Sequence, residues 1–302
     1  MQSKIRLASV LCLGSLLGGC WWSRDQASAG SAPTVGTALS VLNVTGKTAT
    51  LIWGAASDVE TSPAALEYKL VYSSGDNLKT VEDAVANGTE AFAWTVAKTD
   101  AELSGLSGSS NYYVTVIVRD AQGNQAIYPT ASLTTKCDGK VMFAHAVSSA
   151  NLGGVSGADS LCNANKPLGF MDSTFKALLV DNSTRRACTT PNCGGGESEH
   201  IGWVFTKDSD YCTSDYEKRV GTTDSAGLIT PDEAGALGTT GTNYYLGVGD
   251  NWIAMPNRCS NWASSSGSAM GRRGNFNATD HAFHSYGEMT CSTAANIVCV
   301  EQ

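Results

Sequence analysis

The chain has 302 residues, enough for two ordinary domains, with 42% hydrophobic and only 16% charged residues. That composition excludes a disordered chain, and a formal charge of -8 excludes wholesale nucleic-acid binding, which needs a basic footprint to neutralise phosphates. Glycine is abundant at 32 residues and proline scarce at 7, which suits turns and bulges more than long helices.

At the N-terminus Lys4 and Arg6 precede an apolar run from Leu7 to Leu17, which ends in Leu17-Gly18-Gly19-Cys20. The run is too short to span a bilayer as a helix and has the layout of a secretory signal over residues 1–19. Leu-Gly-Gly-Cys resembles a bacterial lipobox. The resemblance implies that Cys20 is lipidated, becomes the first residue of the mature protein and holds it to a membrane through several acyl chains. Trp21 stands where an inner-membrane retention signal places Asp, which implies an outer-membrane destination. Residues 20–33, mostly Ser, Ala, Gly and Asp after two tryptophans, read as a tether.

Strand signals follow at Ala38 to Val44, Thr48 to Trp53, Leu66 to Tyr72, Ala91 to Val96, Tyr112 to Arg119 and Ala126 to Thr134. Alternation is clearest in the second and fifth, where Tyr112, Val114, Val116 and Val118 share one face. Turn chemistry such as Asp120-Ala-Gln-Gly-Asn124 completes the pattern of an antiparallel sandwich, with Lys79 to Asn87 a short helical insertion. Leu106 six residues before Tyr112, Tyr-x-Val-x-Val after it, and Trp53 on an early strand resemble a fibronectin type III domain with its tyrosine corner, over residues 34–136. Trp53 and Tyr112 are then core, and such a domain is expected to be a spacer.

From residue 137 the character changes. A strand from Val141 to Val147 leads to a short helix after Ser156 in which Ala158, Leu161 and Cys162 fall at helical spacing. Phe175 to Val180 reads as a buried strand, and later apolar runs are short. All cysteines beyond Cys12 and Cys20 lie here: 137, 162, 188, 193, 212, 259, 291 and 299. An even number in an exported chain with no Cys-x-x-Cys argues for disulfides and against a zinc knuckle.

Residues 137–302 resemble endostatin and the C-type lectin-like fold, an α+β, disulfide-stapled domain. The resemblance rests on Gly157-Ala158-Asp159 with Cys162, Thr174 to Leu178, Tyr245-Leu246-Gly247, Cys259-x-x-Trp262, Gly267-Ser-Ala269, and Cys291 leading to Ile297 to Glu301. A domain of uncharacterised bacterial surface lipoproteins is also similar, through Gly-Ala-Asp-x-x-Cys, an Arg-Arg-Ala-Cys-Thr segment like Arg185 to Thr189, and the Cys-x-Glu-Gln ending. The endostatin resemblance implies nested pairing, Cys162 with Cys299 and Cys259 with Cys291. The remaining four allow three pairings; closeness in sequence favours Cys188 with Cys193, leaving Cys137 with Cys212.

Sites of chemistry are scarce. There is no Gly-x-Ser-x-Gly elbow and no His-Glu-x-x-His. His281 and His284, read as exposed loop histidines, lack the further ligands a zinc site needs. Asp208, Asp210 and Asp215 lack the glycine and closing glutamate of an EF-hand loop, and Met255-Pro256-Asn257 lacks the oxygens of a calcium-dependent sugar site. Heparin-type binding would need Arg185-Arg186, Lys218-Arg219, Arg258 and Arg272-Arg273 to gather on one face. The expected function is that of a lipid-anchored, adhesin-like bacterial surface protein, not an enzyme and without cofactor or metal. It would bind an extracellular protein or glycan through Trp252, Asn257, Arg258, Arg272 and Arg273, with Trp262 in the core. A structural envelope lipoprotein without an outside ligand is the alternative, and a metal-dependent hydrolase around His281 and His284 the third.

Overall fold

The alternating residues of 49–53 and 112–118 are the natural starting point, because their apolar positions face one another. In the computed structural model, which describes residues 30–232, 237–238 and 242–302, strands β1 (Ser40–Leu42), β2 (Ala49–Ile52) and β5 (Asp100–Leu103) form one antiparallel sheet in the order β1-β2-β5. The second sheet, in the order β4-β3-β6-β7, contains β3 (Glu67–Ser73), β4 (Thr89–Val96), β6 (Asn111–Arg119) and β7 (Gln125–Ile127), with β8 (Ala131–Thr134) also paired to β6. Ala49, Leu51 and Trp53 meet Val114, Val116 and Val118 across the sandwich. Each buried valine or leucine among them contributes roughly 1.5–3 kcal/mol relative to exposure. The other face of β6 is covered too: Val71 and Ile117 pack with Leu78 and with Ala84 of helix α1 (Val81–Asn87), whose N-cap Thr80 accepts from the Asp83 amide. The Tyr112 hydroxyl accepts from the Ser107 amide at 3.0 Å, so the tyrosine ties the loop before β6 to its own strand.

Two expectations for this half need correction. The run from Ala126 to Thr134 is two strands, β7 and β8, because Pro129 has no N–H for a ladder. β5 has no counterpart among the expected strands; its Asp-Ala-Glu-Leu alternation buries only Ala101 and Leu103.

The second half is built around its last strand. β17 (Ala295–Glu301) pairs antiparallel with β9 (Lys140–Val147), from Ala295 opposite Val147 to Val300 opposite Met142. The sheet runs β13-β12-β11-β9-β17-β14-β15-β16, with β10 (Phe175–Ala177) also on β17. Its other members are β11 (Asp210–Cys212), β12 (Arg219–Thr223), β13 (Ile229–Pro231), β14 (Asn243–Tyr245), β15 (Met270–Asn275) and β16 (Glu288–Thr290). Both faces of β17 are covered: Val298 and Val300 enter one apolar cluster, Ile297 and Cys299 the other. A strand covered on both sides reads as a continuous apolar run.

Helix α2 (Gly154–Ala164) closes one face with Val155, Ala158 and Cys162. It begins earlier than expected: Gly153, at φ 75, is the N-cap, and Ser156 lies inside the first turn. A side chain at Gly157 would put Cβ 2.1 Å from the Leu152 carbonyl oxygen, so only glycine fits there. Four disulfides join Cys162 to Cys299, Cys259 to Cys291, Cys188 to Cys193 and Cys137 to Cys212, the pairs named above. Cys259–Trp262 forms a tight turn in which all four residues have positive φ, from 49° to 68°. It is held by the disulfide, by Trp262 Nε1 donating to the Val180 carbonyl at 2.8 Å, and by the Leu152 amide donating to the Trp262 carbonyl. The signal segment, the tether up to residue 29, and with them Cys20, lie outside the described residues.

Candidate functional site

The residues that carry the endostatin-like and lipoprotein-domain resemblances are committed to the fold. Asp159 Oδ1 and Oδ2 accept from Arg185 Nη1 and Nη2 at 2.9 and 2.8 Å, and Oδ1 also accepts from the Ala177 amide at 2.8 Å. Arg185 further donates to the Ala177 and Gly202 carbonyls. One ion pair thus joins Gly-Ala-Asp-x-x-Cys to Arg-Arg-Ala-Cys-Thr. Glu301 accepts from the Val141 amide at 2.8 Å and from Ser173 Oγ at 2.6 Å, and Gln302 Nε2 donates to the Val204 and Val300 carbonyls. Glu199 accepts from both the amide and the hydroxyl of Thr189 and of Thr190, and from the Gly195 amide. Those hydrogen bonds, first among them from Thr190, hold its carboxyl well below the ordinary carboxylate range.

The expected ligand-facing residues divide. Asn257, Arg258 and Arg272 come together where the 249–258 loop meets β15. The Arg272 amide donates to the Asn257 carbonyl at 2.9 Å, and Asn257 Nδ2 donates to Glu288 Oε1 at 2.6 Å. Arg272 Nη2 donates to Ser285 Oγ at 2.7 Å, and Ser285 donates to Asp250 Oδ1 at 2.7 Å. Arg258 is turned inward onto the Met255 carbonyl and Asn261. Arg273, next along β15, lies 4.9 Å over the Tyr286 ring.

Trp252 belongs elsewhere. It is 4% exposed, stacked on His284 with ring centroids 4.1 Å apart and edge-on to Trp203, so it is a core anchor beneath the loop and not a contact surface. The polar Gly-Asp-Asn sequence before it hid that role. His284 is likewise buried and not an exposed loop residue; its Nε2 lies 3.1 Å from the Asp250 carbonyl oxygen. Burial pushes its imidazole below the ordinary value. The Ser285 hydroxyl, with the charges of His281 and Arg272, holds Asp250 below the usual carboxylate range.

Among the described residues no three His, Cys, Asp or Glu side chains are placed to hold a metal. Asp210 accepts from Thr222 and Asp215 from Thr213. The basic pairs do not gather either: Arg185 is buried on Asp159, Arg186 Nε donates to the Glu199 carbonyl, and Arg219 pairs with Asp232. Asp250, Ser285, Tyr286 and Glu288 join the cluster unforeseen by sequence; of these only Tyr286, an aromatic before a glycine in a polar stretch, carried a local signal.

A family model described as "Protein of unknown function (DUF1554)" matches residues 145–279, from within β9 to just past β15. No match is found among curated proteins. Among solved structures, an Fn3-like protein from Clostridium thermocellum is similar at 24% identity, covering 35% of this chain and 95% of that one with a TM-score of 0.26. A fibronectin type III domain from human KIAA0970 protein is similar at 14% identity, covering 40% of this chain and 86% of that one with a TM-score of 0.29. The sixth such domain from human fibronectin type III domain containing protein 3 is similar at 17% identity, covering 37% and 93% with a TM-score of 0.29.

Proposed function

We propose that this chain is a lipid-anchored bacterial surface protein, exported and held to the outer membrane through Cys20. In this reading the fibronectin type III-like sandwich is a spacer. The second half is an endostatin-like, C-type lectin-like module that binds an extracellular protein or glycan, with no catalytic step. The observation that carries the reading is a division of labour in the second half. Its motif residues and all its cysteines are consumed by the fold, whereas Asn257, Arg272, Arg273 and Tyr286 gather where β15, next to the sheet's edge strand β16, meets the loops around 257 and 286. Four disulfides support an oxidising, exported setting.

Three measurements test it. Replacing Cys20 with Ala should abolish incorporation of a clickable fatty acid; unchanged labelling removes the anchor. Protease added to intact cells should trim the protein, and full protection would favour an envelope-facing structural role instead. The full chain should capture members of a matrix-protein and glycan array, and a blank array at micromolar concentration would overturn binding.

A further inference from the structure

Every other arginine among the described residues directs its guanidinium to an acceptor within the protein: Arg119 to Glu67, Arg185 to Asp159, Arg186 to the Glu199 carbonyl, Arg219 to Asp232, Arg258 to the Met255 carbonyl and Arg272 to Ser285. Arg273 does not. Its Nε is buried without an acceptor, its Nη groups are neither buried nor hydrogen-bonded, and its guanidinium rests on the ring of Tyr286, itself 47% exposed. The backbone fixes the pair from both sides. The Arg273 amide donates to the Gly287 carbonyl at 3.1 Å and the Tyr286 amide donates to the Arg273 carbonyl at 2.8 Å.

We propose that Arg273 and Tyr286 form a binding site for a single carboxylate presented by an acidic segment of a partner protein. The proposal rests on the reading of the second half as a binding module and names the chemistry it recognises. Stacking on an aromatic face holds the guanidinium plane and leaves its edge open, and that edge is a planar fork matched to the two oxygens of a carboxylate. Because the fork is held before the ligand arrives, little side-chain freedom is lost on binding. Arginine and tyrosine are also the residue types that dominate protein interfaces when anchored in this way.

The surroundings decide between ligand classes. Arg272 is bonded to Ser285, and its Nη1 lies 3.9 Å from Glu288 Oε1. Arg258 is turned onto the Met255 carbonyl and Asn261. The surface therefore offers one guanidinium without an acceptor and not a basic track, on a chain of net charge -8. A polysulfated chain draws its affinity from many cations at once and finds no such row here. A neutral sugar would leave the guanidinium charge uncompensated.

The test is a titration of the isotope-labelled full chain with acetyl-Gly-Glu-Gly-amide, following the Arg273 Nε–Hε and Tyr286 ring resonances. The glutamate peptide should shift both, and its glutamine counterpart should bind at least about tenfold more weakly. Arg273→Gln and Tyr286→Ala should lose the response, and Arg273→Lys, which keeps the charge without the fork, should lose about tenfold. Unchanged amide spectra would show that each variant is folded. Equal responses to the two peptides, or no shift at Arg273 with probe on the order of 10 mM, overturn the site. So does heparin binding that is tighter than the glutamate peptide and lost in Arg273→Gln, which would make the ligand a polyanion. If the wild type captures a macromolecule and Arg273→Gln captures it equally, the site fails and the binding function stands. If the glutamate peptide titrates Arg273 but the arrays are blank, the site stands and the broader reading fails.

Discussion

Between β1 and β8 there is no cysteine, and the sandwich is held by facing apolar rows, with the hydroxyls of Tyr68, Tyr112 and Tyr128 and the Asp120 carboxylate bonded to nearby loop segments. From Cys137 to the end of β17 the same task is shared with four disulfides, a buried Asp159–Arg185 pair and the Glu199 hub. The difference follows from strand length. Many strands of the second half are three residues long, and short strands separated by long loops bury too little of their own surface to fix those loops. Cross-links and buried charge supply what the ladders lack. The two halves should therefore fail under different insults.

Removing the long staple with Cys162→Ala and Cys299→Ala should give the largest effect, destabilising the second half by roughly 3–5 kcal/mol in chain-entropy terms. Denaturant melts followed by protease mapping should show the sandwich unaffected; a shared loss would mean that the halves unfold as one. Asp159→Ala should come next, at about 3 kcal/mol, because Arg185 keeps its charge in a site where its side chain is only 5% exposed. Equal stability of that variant and the wild type would show that water replaces the carboxylate.

Acid should act locally before it acts globally. Glu199 has its folded-state pKa depressed below its ordinary value near 4.5, so its contribution is complete above about pH 4.5 and fades as pH falls toward the folded value. Protection of the Thr189, Thr190 and Gly195 amides against hydrogen exchange, relative to the intrinsic rate at each pH, should fall as pH drops below that value in the wild type. In Glu199→Gln that protection should be low at all pH values. In the sandwich, Tyr112→Phe removes only the hydroxyl that accepts from Ser107 and should cost about 1 kcal/mol. A thermal melt that resolves the two halves would show whether this loss is confined to the first. Smallest is a gain: Ser260→Gly, at φ 54 and exposed, should stabilise the second half by up to about 1 kcal/mol, read as a small rise in its melting temperature.

How far the sequence could be read depended on the range of each signal. The strands around Trp53 and Tyr112 carry their pattern in consecutive residues, and β17 shows its two covered faces as an unbroken apolar run, so both were legible. Asp159 and Arg185 are 26 residues apart, and nothing local marks either as buried. Trp252 and His284 were misread for the same reason: their partners are each other, across a separation no periodicity spans. Among the site residues, Arg272 and Arg273 look alike in sequence. Only the fold shows that one is spent on Ser285 and the other left open.

The turn at Cys259–Trp262 has a consequence for the order of assembly. Four successive L-residues with left-handed backbone are scarcely populated in a free chain, at a cost of roughly 1–2 kcal/mol each. The turn is thus a poor nucleus. It becomes affordable only once Val180 and Leu152 are in place to receive Trp262, which sets the closing of this corner after the docking of α2 and β10 on β17. Mutations at Trp262 should then speed unfolding while leaving the refolding rate nearly unchanged, whereas mutations at Ala158 or Phe175 should slow refolding.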